Sequence, residues 1–353
     1  MTDLLTSASS GLGRLTLNRP EALHALTTHM CRNMIQALLA WRDDESVRAI
    51  LIEHAPGTRG FCAGGDIRML AESGKGDGAL AREFFHAEYR LNHLLFTYPK
   101  PVIAIMDGVT MGGGVGISMP ATFRIATELT IFAMPETGIG LFPDVGGGWY
   151  LPRMPGEIGL WLALTGARLK VADCLAAGIA THFVESSKLA ALVVELASFP
   201  ASGEASLEQT LAQFSSEAGA PKELSGDNRD RIDHLFAAVS VEEIFAALEA
   251  DGSDWAKAQL ATLQTKSPQT LKVAFRQLRE GAVMQSFADE MAQEYRIACR
   301  VSARPDFIEG VRALILDKDN APKWNPATLE GVTDAMLGEI FAVLPAGEEW
   351  TPL

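Results

Sequence analysis

The chain has 353 residues, 48% of them hydrophobic and 21% charged, a globular balance that leaves little room for extended disorder. Thirty basic residues face 44 acidic ones, and a net charge of −14 speaks against nucleic acid as a partner. No apolar run reaches the roughly 18 residues of a membrane span, and the opening MTDLLTSASSGLG has no basic-then-apolar leader, so a cytoplasmic location away from membranes is expected.

The elements follow in chain order. RLTLN (14–18) alternates as a strand does. After Thr27 or Thr28 as a cap, Met30, Met34, Leu38 and Trp41 recur at helical spacing. VRAILIEH (47–54) reads as a buried strand, and GTRGFCAGGDIRML (57–70) as a glycine-rich turn entering a helix, which Asp66 is placed to cap. A helix is expected near 79–98, then the strand VIAIMDG (102–108). TMGGGVGISMP is a second glycine loop opening a short helix, and the residues around Phe132 form another strand. This is an α/β pattern with glycine loops after strands. PASGEAS (200–206) reads as a linker, dividing a core at 1–198 from a mainly helical region at 199–353.

Much familiar chemistry is missing. The seven histidines form no H-E-x-x-H and lie near no cysteine pair, so no metal is expected. There is no G-x-S-x-G elbow, no G-x-G-x-x-G after a strand and no phosphate-binding G-x-x-x-x-G-K-[ST]. Cys31, Cys62, Cys174 and Cys299 are scattered and read as small hydrophobes in a reducing compartment.

What is present is two glycine loops, each opening a helix, and three well-placed acids. Helix N-termini offer free N–H groups, and glycine lets them approach a ligand oxygen. Two such amides converging on one point would make an oxyanion hole. Glu88 falls on the stripe of Phe84, Leu91 and Leu95. An acid there either pairs with Arg82 or Arg90 at the core edge, or faces a polar cavity. Glu136 and Asp144 sit in FAMPETGIGLFPDVGGG, each beside a proline that restricts its loop.

FCAGGDI, MGGGVG and MPETGIGLFPDVGG, in this order, resemble the enoyl-CoA hydratase/isomerase (crotonase) superfamily. LNRPEALHAL before them and LTGARLKVADCLAAGIATHFV after them extend the likeness from about 15 to 184. Asp144 stands where hydratases have glycine, and Gly116 where they carry their first catalytic glutamate. These features, with DFIEGVRALILDKDNAPKWNP (306–326), resemble a branch of the superfamily that hydrolyses short 3-hydroxyacyl-CoA thioesters. His24 departs from the asparagine often found in a segment that lines the CoA site.

The resemblance implies a spiral of repeated ββα units with a helical C-terminal region. It implies an acyl-CoA substrate, most of all 3-hydroxyisobutyryl-CoA as met in valine breakdown, with no separate cofactor and with homo-oligomers possible. It implies that the Gly65 and Gly113 amides hold the thioester oxygen, that Glu136 and Asp144 are catalytic, and that Glu88 contacts substrate. It further implies that a side chain at Gly116 would enter space left empty above the thioester. Two readings stay open beside hydrolysis: an enoyl-CoA hydratase or isomerase on the same fold, and a non-catalytic CoA-binding protein.

Overall fold

The computed structural model describes residues 2–197 and 206–353 in full, and 204 and 205 by backbone alone. The boundary expected at 198/199, and most of the linker, lie outside these residues.

Short apolar runs between glycine turns build the main sheet. Its strands are β1 (Leu4–Ser9), β2 (Leu12–Leu17), β3 (Ala49–His54), β4 (Val102–Met106), β6 (Phe123–Ala126) and β8 (His182–Phe183), in the order β1-β2-β3-β4-β6-β8. Only the β1–β2 hairpin is antiparallel; every later neighbour is parallel. Strands buried on both faces explain the unbroken run AILIE and the fully buried VIAIM.

A second, smaller layer runs beside the first. β5 (Val109–Met111) pairs in parallel with β7 (Ile131–Ala133). Single bridges continue it, from Leu26 to Gly65, Cys62 to Thr110 and Phe132 to Leu169. Each turn of the chain thus gives a strand to the main sheet, a strand or bridge to the small layer, and then a helix. This is the expected ββα spiral.

Four helices matter for the cleft. α1 (Thr28–Arg42) is capped by the Thr27 side chain, which accepts from the Met30 amide. α2 (Ile67–Gly74) is capped by Asp66, which accepts from Met69 and pairs with Arg19 at 2.8 Å. α3 (Ala79–Phe96) buries Phe84, Glu88, Leu91 and Leu95 on one stripe. α4 (Gly113–Ser118) follows the second glycine loop and is buried throughout.

Beyond 203 the chain is mainly helical, as expected. Its helices share the main hydrophobic core: Phe287, Met291 and Phe307 belong to the same buried cluster as Leu15, Phe84 and Phe142. The Phe287–Val301 helix packs directly on α3. Three of the four cysteines are buried and Cys299 is partly so, and all four are unpaired.

Candidate active site

All five residues singled out from the sequence, Gly65, Glu88, Gly113, Glu136 and Asp144, line one cavity of about 440 Å³. Its other walls are largely apolar, among them Phe84, Ile139 and Ile315.

The two glycine loops lie side by side. Gly64 (φ +117°) and Gly112 (φ +46°) take backbone conformations that side chains disfavour. A Cβ on Gly64 would sit 3.9 Å from the Gly113 nitrogen. The Gly113 amide opens α4, so no turn of helix precedes it to accept its hydrogen. The neighbouring amides of the first loop are committed, Ala63 to the Leu23 carbonyl and Asp66 to that of Leu26; Gly65 lies between them. A side chain at Gly65 or Gly113 would displace a residue that lines the cavity. A Cβ on Gly65 would lie 2.7 Å from the Phe84 ring, and one on Gly113 2.5 Å from Glu88 Oε1.

The acids come from three elements. Glu88 projects from the middle of α3 and is 2% exposed, with Oε1 unpartnered. Arg82 and Arg90 serve elsewhere, on the Asp77 carbonyl and on Thr351, so the stripe acid faces the cavity. Glu136 opens the 3-10 turn Glu136–Ile139 just past β7. Its Oε1 is 3.4 Å from where a Cβ on Gly112 would be, and its buried Oε2 has no partner. Asp144 lies in the next loop, where its Oδ2 accepts from the Tyr89 hydroxyl at 2.8 Å.

Three buried carboxyls in one oily space cannot all be charged. Burial pushes the Glu88 carboxyl well above the usual range, and Asp144 and Glu136 add to it. Burial and then Asp144 push Glu136 up in the same way, while Lys266 pulls it down. Burial raises Asp144 to about 7, against the pull of the Tyr89 hydrogen bond. Lys266, itself lowered by burial, and the exposed Arg168 line the same cavity.

Other sequence expectations fare variously. The space beside Gly116 is filled: a Cβ there would lie 2.6 Å from the Val145 Cβ and 2.7 Å from the Asn92 amide nitrogen. A hydratase-like side chain at 116 is therefore excluded by packing, where open space was expected. His24 turns inward, with Nδ1 accepting from the Arg19 amide and Nε2 bonded to the Thr58 hydroxyl. Tyr89, Lys266 and Arg168 were not foreseen. Tyr89 directly follows Glu88 in sequence, and that adjacency was the one available signal. Among the described residues, no group of His, Cys, Asp and Glu is arranged to hold a metal ion, and no helix is long and apolar enough to cross a membrane.

Backbone donors facing a carboxylate cluster in an apolar cleft suit acyl transfer. Comparison with known proteins bears on this. The enoyl-CoA hydratase/isomerase family profile matches residues 12–341. The Xenopus laevis protein named 3-hydroxyisobutyryl-CoA hydrolase, mitochondrial, is 46% identical over 97% of this chain and 89% of its own length. The human protein of that name is 43% identical, over 98% and 90%. A solved structure titled a carnitinyl-CoA dehydratase, from Mycobacterium thermoresistibile, superposes with a TM-score of 0.92 at 40% identity, covering 99% of each chain. One titled an enoyl-CoA hydratase, from Rhodobacter sphaeroides 2.4.1, gives 0.88 at 38% identity, covering 99% of this chain and 100% of its own.

Proposed function

The chain belongs to the enoyl-CoA hydratase/isomerase family, and from that premise we propose that it hydrolyses 3-hydroxyisobutyryl-CoA to 3-hydroxyisobutyrate and CoA. The observation that carries this reading is the company kept by the two loop amides. Both glycines line one cavity with Glu136 and Asp144, and the position that would bear a hydratase's other glutamate is Gly116, closed by Val145 and Asn92.

In this reading the thioester oxygen lies between the Gly65 and Gly113 amides. Charge grows on that oxygen as the tetrahedral centre forms, and one such donor is typically worth about 3–4 kcal/mol in the transition state. Glu136 attacks the carbonyl carbon, or draws a proton from a water that attacks it. In the first route a C–O bond forms, the C–S bond breaks, and the leaving thiolate takes a proton. Water then cleaves the mixed anhydride and restores the Glu136 carboxylate. In the second, the water oxygen enters the product directly. Oxygen-18 in Glu136 after a single turnover in labelled water marks the anhydride route.

Asp144, held by Tyr89, orients the substrate hydroxyl or the water. Glu88, neutral when protonated, is a hydrogen-bond partner for the 3-hydroxyl. Valine breakdown is the route that supplies such a thioester. The unpaired cysteines suit a reducing compartment such as the cytoplasm, although the curated relatives carry "mitochondrial" in their names.

The titles of the two similar structures favour hydration as a second reading. One assay separates them: thiol release from 3-hydroxyisobutyryl-CoA against loss of enoyl absorbance from crotonyl-CoA. Robust hydration with no thiol release would falsify the hydrolase reading.

A further inference from the structure

The loop that carries Asp144 is unusual in its backbone. Val145 has φ +56° and Gly146 φ +91°, so two consecutive residues lie in the left-handed region. A β-branched residue there is a genuine outlier, and it persists only where its surroundings over-determine it. The surroundings here are side chains from two helices far along the chain.

From the helix Phe287–Val301, Glu294 Oε2 accepts from the Gly146 amide at 2.8 Å and Oε1 from the Gly148 amide at 3.2 Å. From the helix Pro268–Gly281, Gln277 Nε2 donates to the Pro143 carbonyl at 2.9 Å and to Glu294 Oε1 at 3.0 Å. The chain is thus gripped on both sides of Asp144 and Val145. A second acid, Glu290, closes the back, where a Cβ on Gly148 would run into its Oε1. All three side chains are fully buried. Among the described residues Glu294 forms no salt bridge, and the two loop amides and Gln277 stand in for water around its carboxyl.

We propose that Glu294, braced by Gln277, is a positioning residue for Asp144, holding the loop 143–148 in a strained form that it would not keep unaided. The proposal rests on the reading of Asp144 as part of the catalytic cleft. Glu294 does not line the cavity. It acts through the loop, and the acid it positions lies only two residues from the amide it holds.

Four measurements on the full chain test this. Glu294→Gln keeps the size but cannot accept from both amides with two oxygens. Its kcat should fall by about tenfold or more with KM within about twofold, since small misplacements of a reacting group cost this much or more. Hydrogen exchange in the peptide covering 143–150 should quicken by about tenfold, while peptides of the main sheet stay as in the parent. Adding Val145→Gly should recover at least about half of the lost kcat, because glycine holds positive φ without a clamp. Gln277→Leu, which removes the Pro143 brace and one donor to Glu294 but leaves both loop amides on that carboxyl, should give the same pattern more weakly.

A folded Glu294→Gln with kcat within about twofold of the parent overturns the proposal. So does exchange that quickens throughout the core, or a complete lack of rescue by Val145→Gly. Should the parent chain release no thiol, the hydrolase reading has failed; the exchange measurement then still decides on the clamp.

Discussion

The Glu136 carboxyl is held mainly by the shape of the cleft, with its own backbone amide and Lys266 favouring its charge. Its Oε2 makes no hydrogen bond, and burial and Asp144 both oppose its charge. Replacing it with glutamine therefore removes chemistry and little structure. Glu136→Gln should lower kcat by at least about a hundredfold, the low end for losing a general base, without lowering the unfolding temperature. Near-parental hydrolysis by the folded variant would remove Glu136 from its role. Glu88 poses a question of selectivity. A site that hydrogen-bonds a substrate hydroxyl rejects analogues that lack it, because its own polar group is left unpaired. Glu88→Gln should narrow the preference for 3-hydroxyisobutyryl-CoA over isobutyryl-CoA by about tenfold, the weight of roughly one hydrogen bond to a charged or strongly polar group. Unchanged selectivity would take Glu88 out of substrate recognition. The raised carboxyls also set a pH dependence. Asp144 orients the water or the substrate hydroxyl as a carboxylate, so kcat/KM should climb as pH rises through about 7, the value to which burial raises it. A profile flat from pH 5.5 to 8 would contradict that assignment.

At the scale of elements, α4 and the Asp144 loop interlock. Gly116 admits no side chain because Val145 and Asn92 occupy its flank. Gly116→Ala should therefore cost about 1–3 kcal/mol of stability through overpacking, and should lower kcat as well by pushing on the residue next to Asp144. Denaturant melts and thiol release check the two halves; an alanine tolerated in both would show that the packing can yield. The sequence could not reveal this contact. It revealed glycine loops and misplaced acids, because free amides and buried charge leave marks within a few residues. Tyr89 meets Asp144 across 55 positions and Glu294 meets Gly146 across 148, separations over which periodicity says nothing. Glu290 and Glu294 nevertheless share a helix face with Phe287, Met291 and Ala298, a stripe like the one that exposed Glu88. The acids were legible as anomalies; their partners were not.

Across the whole molecule, buried carboxyls outnumber nearby cations, and stability should record it. Burial raises Glu290 to about 8 and Asp144 to about 7, and lifts Glu88, Glu136 and Glu294 well above the ordinary range. Unfolded, all five are ionised above about pH 5.5. The folded state then binds more protons, so its stability falls as pH rises through the folded values. Histidines 24, 54, 86, 93 and 182 act in the opposite sense, because burial lowers them. Above about pH 7.5 they are neutral in both states and drop out. The unfolding temperature should therefore fall by about 3 °C or more between pH 7.5 and 9, and less steeply in Glu290→Gln. A flat curve would mean that the acids are better solvated than their burial implies. The grip of Glu294 on the 143–148 loop also has a consequence for the timing of biogenesis. A ribosome makes the loop first and its holder 148 residues later, a delay of about 7–30 s at about 5–20 residues per second. During that interval the nascent chain already holds both glycine loops, Glu88, Glu136, Asp144 and its partner Tyr89, but the clamp on the loop that carries Asp144 is missing. Catalytic competence is thus among the last properties that the growing polypeptide acquires.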